Sequence, residues 1–167
     1  DRKWISRQVT SKRWQRLYQG VYQTHLGPPT WGTRAMAALL YAGKDAVLSH
    51  ATAFTHWCES ATARESKLGD VVEVSIPFTR SVAGQRGLRI HRRRSMPETV
   101  NLRPPVTSAA ETALDLVDRI PHGRVDEVVG VLTRDADIAA AVDLRETVGR
   151  RKRLRHRRLV LDVLAEV

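Results

Sequence analysis

The chain has 167 residues, 42% of them hydrophobic, which suffices for one or two small domains with real cores. Its 28 Lys and Arg against 18 Asp and Glu give a net charge of +10, so its field attracts DNA, RNA or an acidic membrane surface. Cys58, the single cysteine, excludes an internal disulfide and a cysteine-based zinc site, and no run of about 18 apolar residues is present to span a bilayer.

The first element expected is a helix over residues 2–10, with Trp4, Ile5 and Val9 as its apolar stripe and Arg2, Lys3 and Arg7 turned outward. Residues 13–23 alternate with a period of two around a break at Gly20, which predicts a hairpin carrying Trp14, Arg16 and Tyr18 on one face. Gly27-Pro28-Pro29 reads as a linker, so a boundary is expected between residues 1–27 and 28–167. Thr30 is placed to cap a helix that runs to Gly43, and Ser49 to cap a second one through Trp57. Residues 71–76 and 88–91 read as strands, expected to pair antiparallel across a loop containing Gly84 and Gly87. Ser108-Ala-Ala-Glu111 is a capping box for a helix that stops before Pro121. Further helices are expected over 124–134, from an Asp143 cap, and over about 152–165. The expected fold is therefore α+β: a partial winged helix-turn-helix, holding the recognition helix and wing, then a small mixed domain that ends in helices.

The charge is not spread evenly. Residues 1–22 carry a net +5, residues 80–94 a net +6 and residues 150–158 a net +7, so the remainder of the chain is net −8. Arginine dominates lysine in these segments, and its forked donors suit phosphate and guanine edges. The strongest candidate for DNA contact is the first segment: Arg2, Lys3 and Arg7 toward the major groove, with Lys12, Arg13 and Arg16 on phosphates. Arg92, Arg93, Arg94, Arg151 and Arg153 form a candidate secondary basic patch.

Taken in order, several segments resemble the AbiEi-type antitoxins, a family widespread in actinobacteria. Trp14-Gln-Arg-Leu-Tyr-Gln-Gly20-Val-Tyr22 is similar to the family's wing and exit strand, and Leu48-Ser49-His50 leading to Trp57 resembles its next helix. Val72-Glu-Val-Ser-Ile-Pro77 and Arg89-Ile-His-Arg92 resemble its strands, and Val106 to Leu116 its long helix. The resemblance implies a DNA-binding autorepressor that acts on inverted repeats in its own promoter. It also implies an antitoxin that counters a nucleotidyltransferase-type toxin encoded next door. By the family pattern the chain begins at the recognition helix and stops short of an endonuclease-fold domain found in many long relatives. With its non-Met start, this leads us to expect a piece of a longer, cytoplasmic protein. Two other readings stand beside this one: the targeting portion of a larger endonuclease, and a module that neutralises a toxin by protein contact.

No catalysis, cofactor or metal is expected. A metal-dependent nuclease site needs an Asp and then an acid two residues before a Lys, and Asp70 with Glu73-Val-Ser75 has serine at that last position. Asp70 then reads as a loop residue and Glu73 as an exposed strand residue. His50 and His56 are off the spacing at which two helical histidines share an ion, and His50 is expected to serve the helix start. Glu111 and Asp115 read as a capping acid followed by a solvated acid.

Overall fold

The structure, a computed structural model, describes residues 2–57, 71–119, 121 and 137–165, the side chains of 137–142 excepted. Helix α1 (Arg2–Thr10) forms as expected, but only part of its apolar stripe is covered: Ile5 and Val9 are half-buried with Gln8, while Trp4 is 50% exposed and Arg2, Lys3, Ser6, Arg7 and Thr10 face solvent. Its end is closed by two reverse bonds. The Lys12 N–H donates to the Val9 carbonyl and the Arg13 N–H to the Gln8 carbonyl, each at 3.0 Å. This is a Schellman ending with Lys12 at the left-handed position, φ 54°, where glycine is usual.

The predicted hairpin is β1 (Gln15–Tyr18) against β2 (Val21–Gln23), closed by Gly20 at φ 78°. A bulge between Arg16 and Tyr18 breaks the period of two. Arg16 therefore points to solvent while Tyr18 is buried, instead of sharing a face as the alternation suggested. Tyr18 enters the core of the following residues, and its hydroxyl donates to the Gly87 carbonyl at 3.3 Å. Hydrophobic packing thus crosses the boundary expected at residues 27 and 28.

Helix α2 (Trp31–Ala42) starts at Thr30, whose hydroxyl accepts from the Thr33 N–H at 3.2 Å, and stops at Gly43 with φ 81°. Next come β3 (Val47–Leu48), α3 (His50–Trp57), β4 (Val72–Pro77), β5 (Leu88–Arg93), β6 (Thr99–Val100), β7 (Val106–Thr107) and α4 (Ala109–Val117). Two more described helices follow, α5 (Asp137–Arg150) and α6 (Arg157–Ala165). One mixed sheet of five strands has the order β5-β4-β3-β7-β6, so the molecule is α+β.

Three expectations are corrected. Strands β4 and β5 run parallel, with Val72 beside Leu88 and Ser75 beside His91. The ten residues between them reach up to about 35 Å when extended, enough to carry the chain back along a six-residue strand without a helix. Asp143 lies inside α5 and caps nothing, because the alanine-rich stretch ahead of it already favours helix. The last helix begins at Arg157, not near 152; the Arg155 N–H turns aside to donate to the Asp118 carboxylate at 2.9 Å. The helix expected over 124–134 lies outside the described residues, as do Cys58 and Asp70.

Strand β4 is buried on both faces, and its two faces differ in chemistry. Val72, Val74 and Ile76 join Leu48, Ala38 and Ala42 in an apolar core beneath α2. Glu73 and Ser75 face the opposite way, toward α3 and α4, where they meet polar partners. A second apolar cluster joins α4, α5 and α6 through Leu114, Leu144, Val148 and Leu164, and Trp57 packs against both clusters. Leu48 is fully buried in the first core, so Leu48→Ala is expected to cost about 3 kcal/mol, read as a lower denaturant midpoint with an unchanged slope.

A basic helix and hairpin, and a buried charge network

The first segment keeps its cations on the surface. Arg2, Lys3, Arg7, Lys12, Arg13 and Arg16 are all exposed. Among the described residues no acid pairs with Arg2, Arg7, Lys12, Arg13 or Arg16; the Arg16 Nε donates only to the Tyr18 carbonyl, at 3.4 Å. Aromatic packing ties the helix to the hairpin: Trp4 meets Trp14 edge to face at 5.1 Å, and Trp14 meets Tyr22 at 6.4 Å. The helix face and the hairpin are thereby held together as one cationic unit.

The alternation of β5 sends Arg89, His91 and Arg93 to the same face as Glu73 and Ser75 of β4. Helix α3 adds His50 and α4 adds Asp115 to that face. The result is a polar network under the sheet, centred on two buried carboxylates.

Glu73 is only 6% exposed, so the expectation of a solvated strand residue was wrong. His91 Nε2 donates to its carboxylate at 2.7 Å, Arg119 Nη1 at 2.5 Å and Arg89 Nη1 at 3.5 Å. Burial pushes the Glu73 carboxyl upward, but the His91 bond and the Arg119 charge outweigh it and hold the group down at about 2.

Asp115 is 2% exposed, again contrary to the reading as a solvated acid. It accepts from Arg93 on one oxygen and Arg151 on the other. Burial raises its carboxyl, and nearby His50 with the Arg93 and Arg151 guanidiniums reverses that, leaving it below the ordinary range. Neither carboxylate was legible as buried one position at a time. For Glu73 the signal was the alternation of apolar and polar residues in both strands, Val-Glu-Val-Ser-Ile and Leu-Arg-Ile-His-Arg, which marks a polar face that recurs on neighbouring strands.

His50 sits between the two acids. Its backbone has φ 53°, its ring stacks on His91 at 3.8 Å, and Nδ1 lies 3.0 Å from the Ser49 hydroxyl. His50 is the first residue of α3, but the expected Ser49 cap is corrected: the Ser49 hydroxyl bonds the side chains of His50 and Ser75 instead of a backbone N–H of the helix. A hydrogen-bonded chain links these groups: Arg93 Nε donates to Ser75, Ser75 donates to Ser49, and the Ser49 hydroxyl bonds His50 Nδ1. Burial is the main reason that His50 is lowered to about 4, against the opposing pull of Asp115, so the ring is neutral at pH 7.

Ligand atoms of His50, Glu73 and His91 lie within 4.8 Å of one another. Guanidiniums already occupy the charge of the nearby carboxylates, however: Arg119 on Glu73, and Arg93 with Arg151 on Asp115. A divalent ion there would have to displace Arg119 and face Arg93 and Arg151, so the set does not favour a metal.

The candidate secondary patch divides. Arg93 and Arg151 point inward onto Asp115, whose buried charge would be costly without a counter-ion. Arg92 packs over the Phe78 ring at 4.3 Å, with Arg94 beside it at 5.8 Å. Even so, the fold brings the run Arg92 to Arg94 and the run Arg150 to Arg153 to opposite sides of one cleft of about 940 Å³. Comparison of the chain with protein-family models, with curated proteins and with solved structures returns no match.

The network implies a definite pH profile. A folded-state value of about 4 for His50 lies below its unfolded value, so the unfolded chain binds more protons between about pH 6.5 and 4. Stability should fall by on the order of 3 kcal/mol as pH drops through that window, and Glu73 should add a further loss from about pH 4.5 toward 2. Urea titrations across pH 3–8 check this, and a flat profile between 6.5 and 4 contradicts a neutral buried His50. Asp115→Asn, which leaves two guanidiniums without their counter-ion, should cost about 3–5 kcal/mol in the same assay at pH 7.

Proposed function

We propose that this chain is a DNA-binding autorepressor and antitoxin of the AbiEi type, and that α1 with the β1–β2 hairpin is its recognition helix and wing. The observation that carries the reading is the surface of α1 and the hairpin: five exposed cations without acidic partners among the described residues, and Lys3 on the same helix face. Exposed charge of this kind is free to replace counter-ions along a duplex. The order of helix and hairpin suits one element in the major groove and the other on the flanking backbone.

The Schellman ending supports the reading further. A lysine held at φ 54° costs roughly 1–2 kcal/mol relative to a relaxed backbone, and a glycine would avoid that cost. A cation kept there is explained by a partner outside the chain. The proposal assigns no catalysis to these residues, in line with carboxylates held by His91 and arginines. Its protein partner would be a nucleotidyltransferase-type toxin, as the family resemblance implies.

A duplex carrying the repeats of its own promoter should bind in the nanomolar range, with affinity falling steeply as salt rises. Arg7→Ala combined with Arg13→Ala should weaken binding at least about tenfold and reduce the salt slope by about 2. Equal affinity for promoter and scrambled duplexes at moderate salt would sink the regulator reading. Lys12→Gly offers a separate check: thermal stability equal to or above that of the parent chain, with weaker duplex binding. Undiminished binding would remove the role assigned to Lys12.

A further inference from the structure

We propose that the cleft between residues 92–98 and 150–153 is a second anion site, separate from α1 and its hairpin, that takes clustered phosphate groups of the kind found in a nucleoside di- or triphosphate. Its volume of about 940 Å³ lies in the range of small-ligand sites. Its lining is strongly one-signed, with six arginines and Lys152 against Glu98 and Glu111.

Those cations have different tasks. Arg93 and Arg151 are fixed on Asp115 and form a rigid base, so part of the cost of ordering the site is met before a ligand arrives. Arg151 also keeps Nη1 buried with no acceptor among the described residues, a donor in want of an oxygen. Arg150 is occupied by Glu98 at 2.9 Å. Arg94, Lys152 and Arg153 are exposed, and no acid pairs with them among the described residues. The base supplies fixed positive potential, and these three heads supply the mobile donors that close on phosphate oxygens. Met96 and Pro97 line the same cleft and offer apolar contact to a base or sugar.

The same chemistry could be supplied by a free oligophosphate or by the backbone of bound DNA, and the experiment separates them. Inorganic tripolyphosphate, ATP without metal, and a labelled promoter duplex are each titrated into the full 167-residue chain by calorimetry or anisotropy. Each is repeated with the double variant Arg94→Ala and Arg153→Ala, and with Arg7→Ala and Arg13→Ala. Both double variants change only exposed side chains, and circular dichroism verifies their folding.

The expected result is micromolar binding of tripolyphosphate and ATP, weakened at least tenfold by the cleft variant and unchanged by the helix variant. Binding of the duplex alone, weakened tenfold by the cleft variant, also supports a phosphate site and assigns its source to the DNA backbone. Equal binding of every probe by parent and cleft variant overturns the proposal, as does the absence of binding by all three below millimolar concentration. Because α1 and the hairpin are altered separately, loss of duplex binding in the helix variant, with every probe bound equally by parent and cleft variant, leaves the regulator reading standing while the cleft fails.

Discussion

Asp115 and its two arginines hold together parts of the chain that local propensity would leave independent. Arg93 comes from the end of β5, Asp115 from the middle of α4, and Arg151 from just after α5. A carboxylate that is 2% exposed is costly to bury alone, and the two guanidiniums offset that cost. In doing so they fix the edge of the sheet against the helical layer. Glu73 repeats the principle one strand inward, where Arg119 and His91 hold it from different elements.

This constraint shapes the surface as well. Of three consecutive arginines, Arg93 turns inward while Arg92 and Arg94 stay out over Phe78. Arg151 is likewise drawn in from the basic run that contains it, bringing its neighbours Lys152 and Arg153 to the rim of the cleft. The arginines that neutralise a buried acid thus also line the positive cleft. The helix and hairpin at the start of the chain follow a different logic, since aromatic packing among Trp4, Trp14 and Tyr22 positions them, and among the described residues no acid pairs with Arg2, Arg7, Lys12, Arg13 or Arg16.

The apolar and polar faces of β4 explain how one sheet serves both purposes. Valines and an isoleucine on one side bury against α2 and supply the hydrophobic stabilisation. On the other side a glutamate and a serine meet histidines, threonine and arginines in a hydrogen-bonded network. Such a network specifies one arrangement of strands and helices, because any shift of register would strand a charge.

Local rules were enough to place α1, the hairpin turn at Gly20, the Thr30 and Gly43 boundaries of α2 and the Ser108 cap of α4. Each depends on contacts within a few residues, which the order of amino acids carries directly. The exposure of Arg2, Lys3 and Arg7 followed from helical periodicity alone. The parallel pairing of β4 with β5, the bulge that separates Arg16 from Tyr18, and the burial of Glu73 and Asp115 depended on partners distant in the chain. A carboxylate four residues from another on a helix looks solvated until arginines 22 and 36 positions away arrive to neutralise it. Charge composition showed an excess of cations, but only the tertiary arrangement decided which of them pair inside the molecule and which stay on its surface, because pairing energy depends on separation in space and not along the sequence.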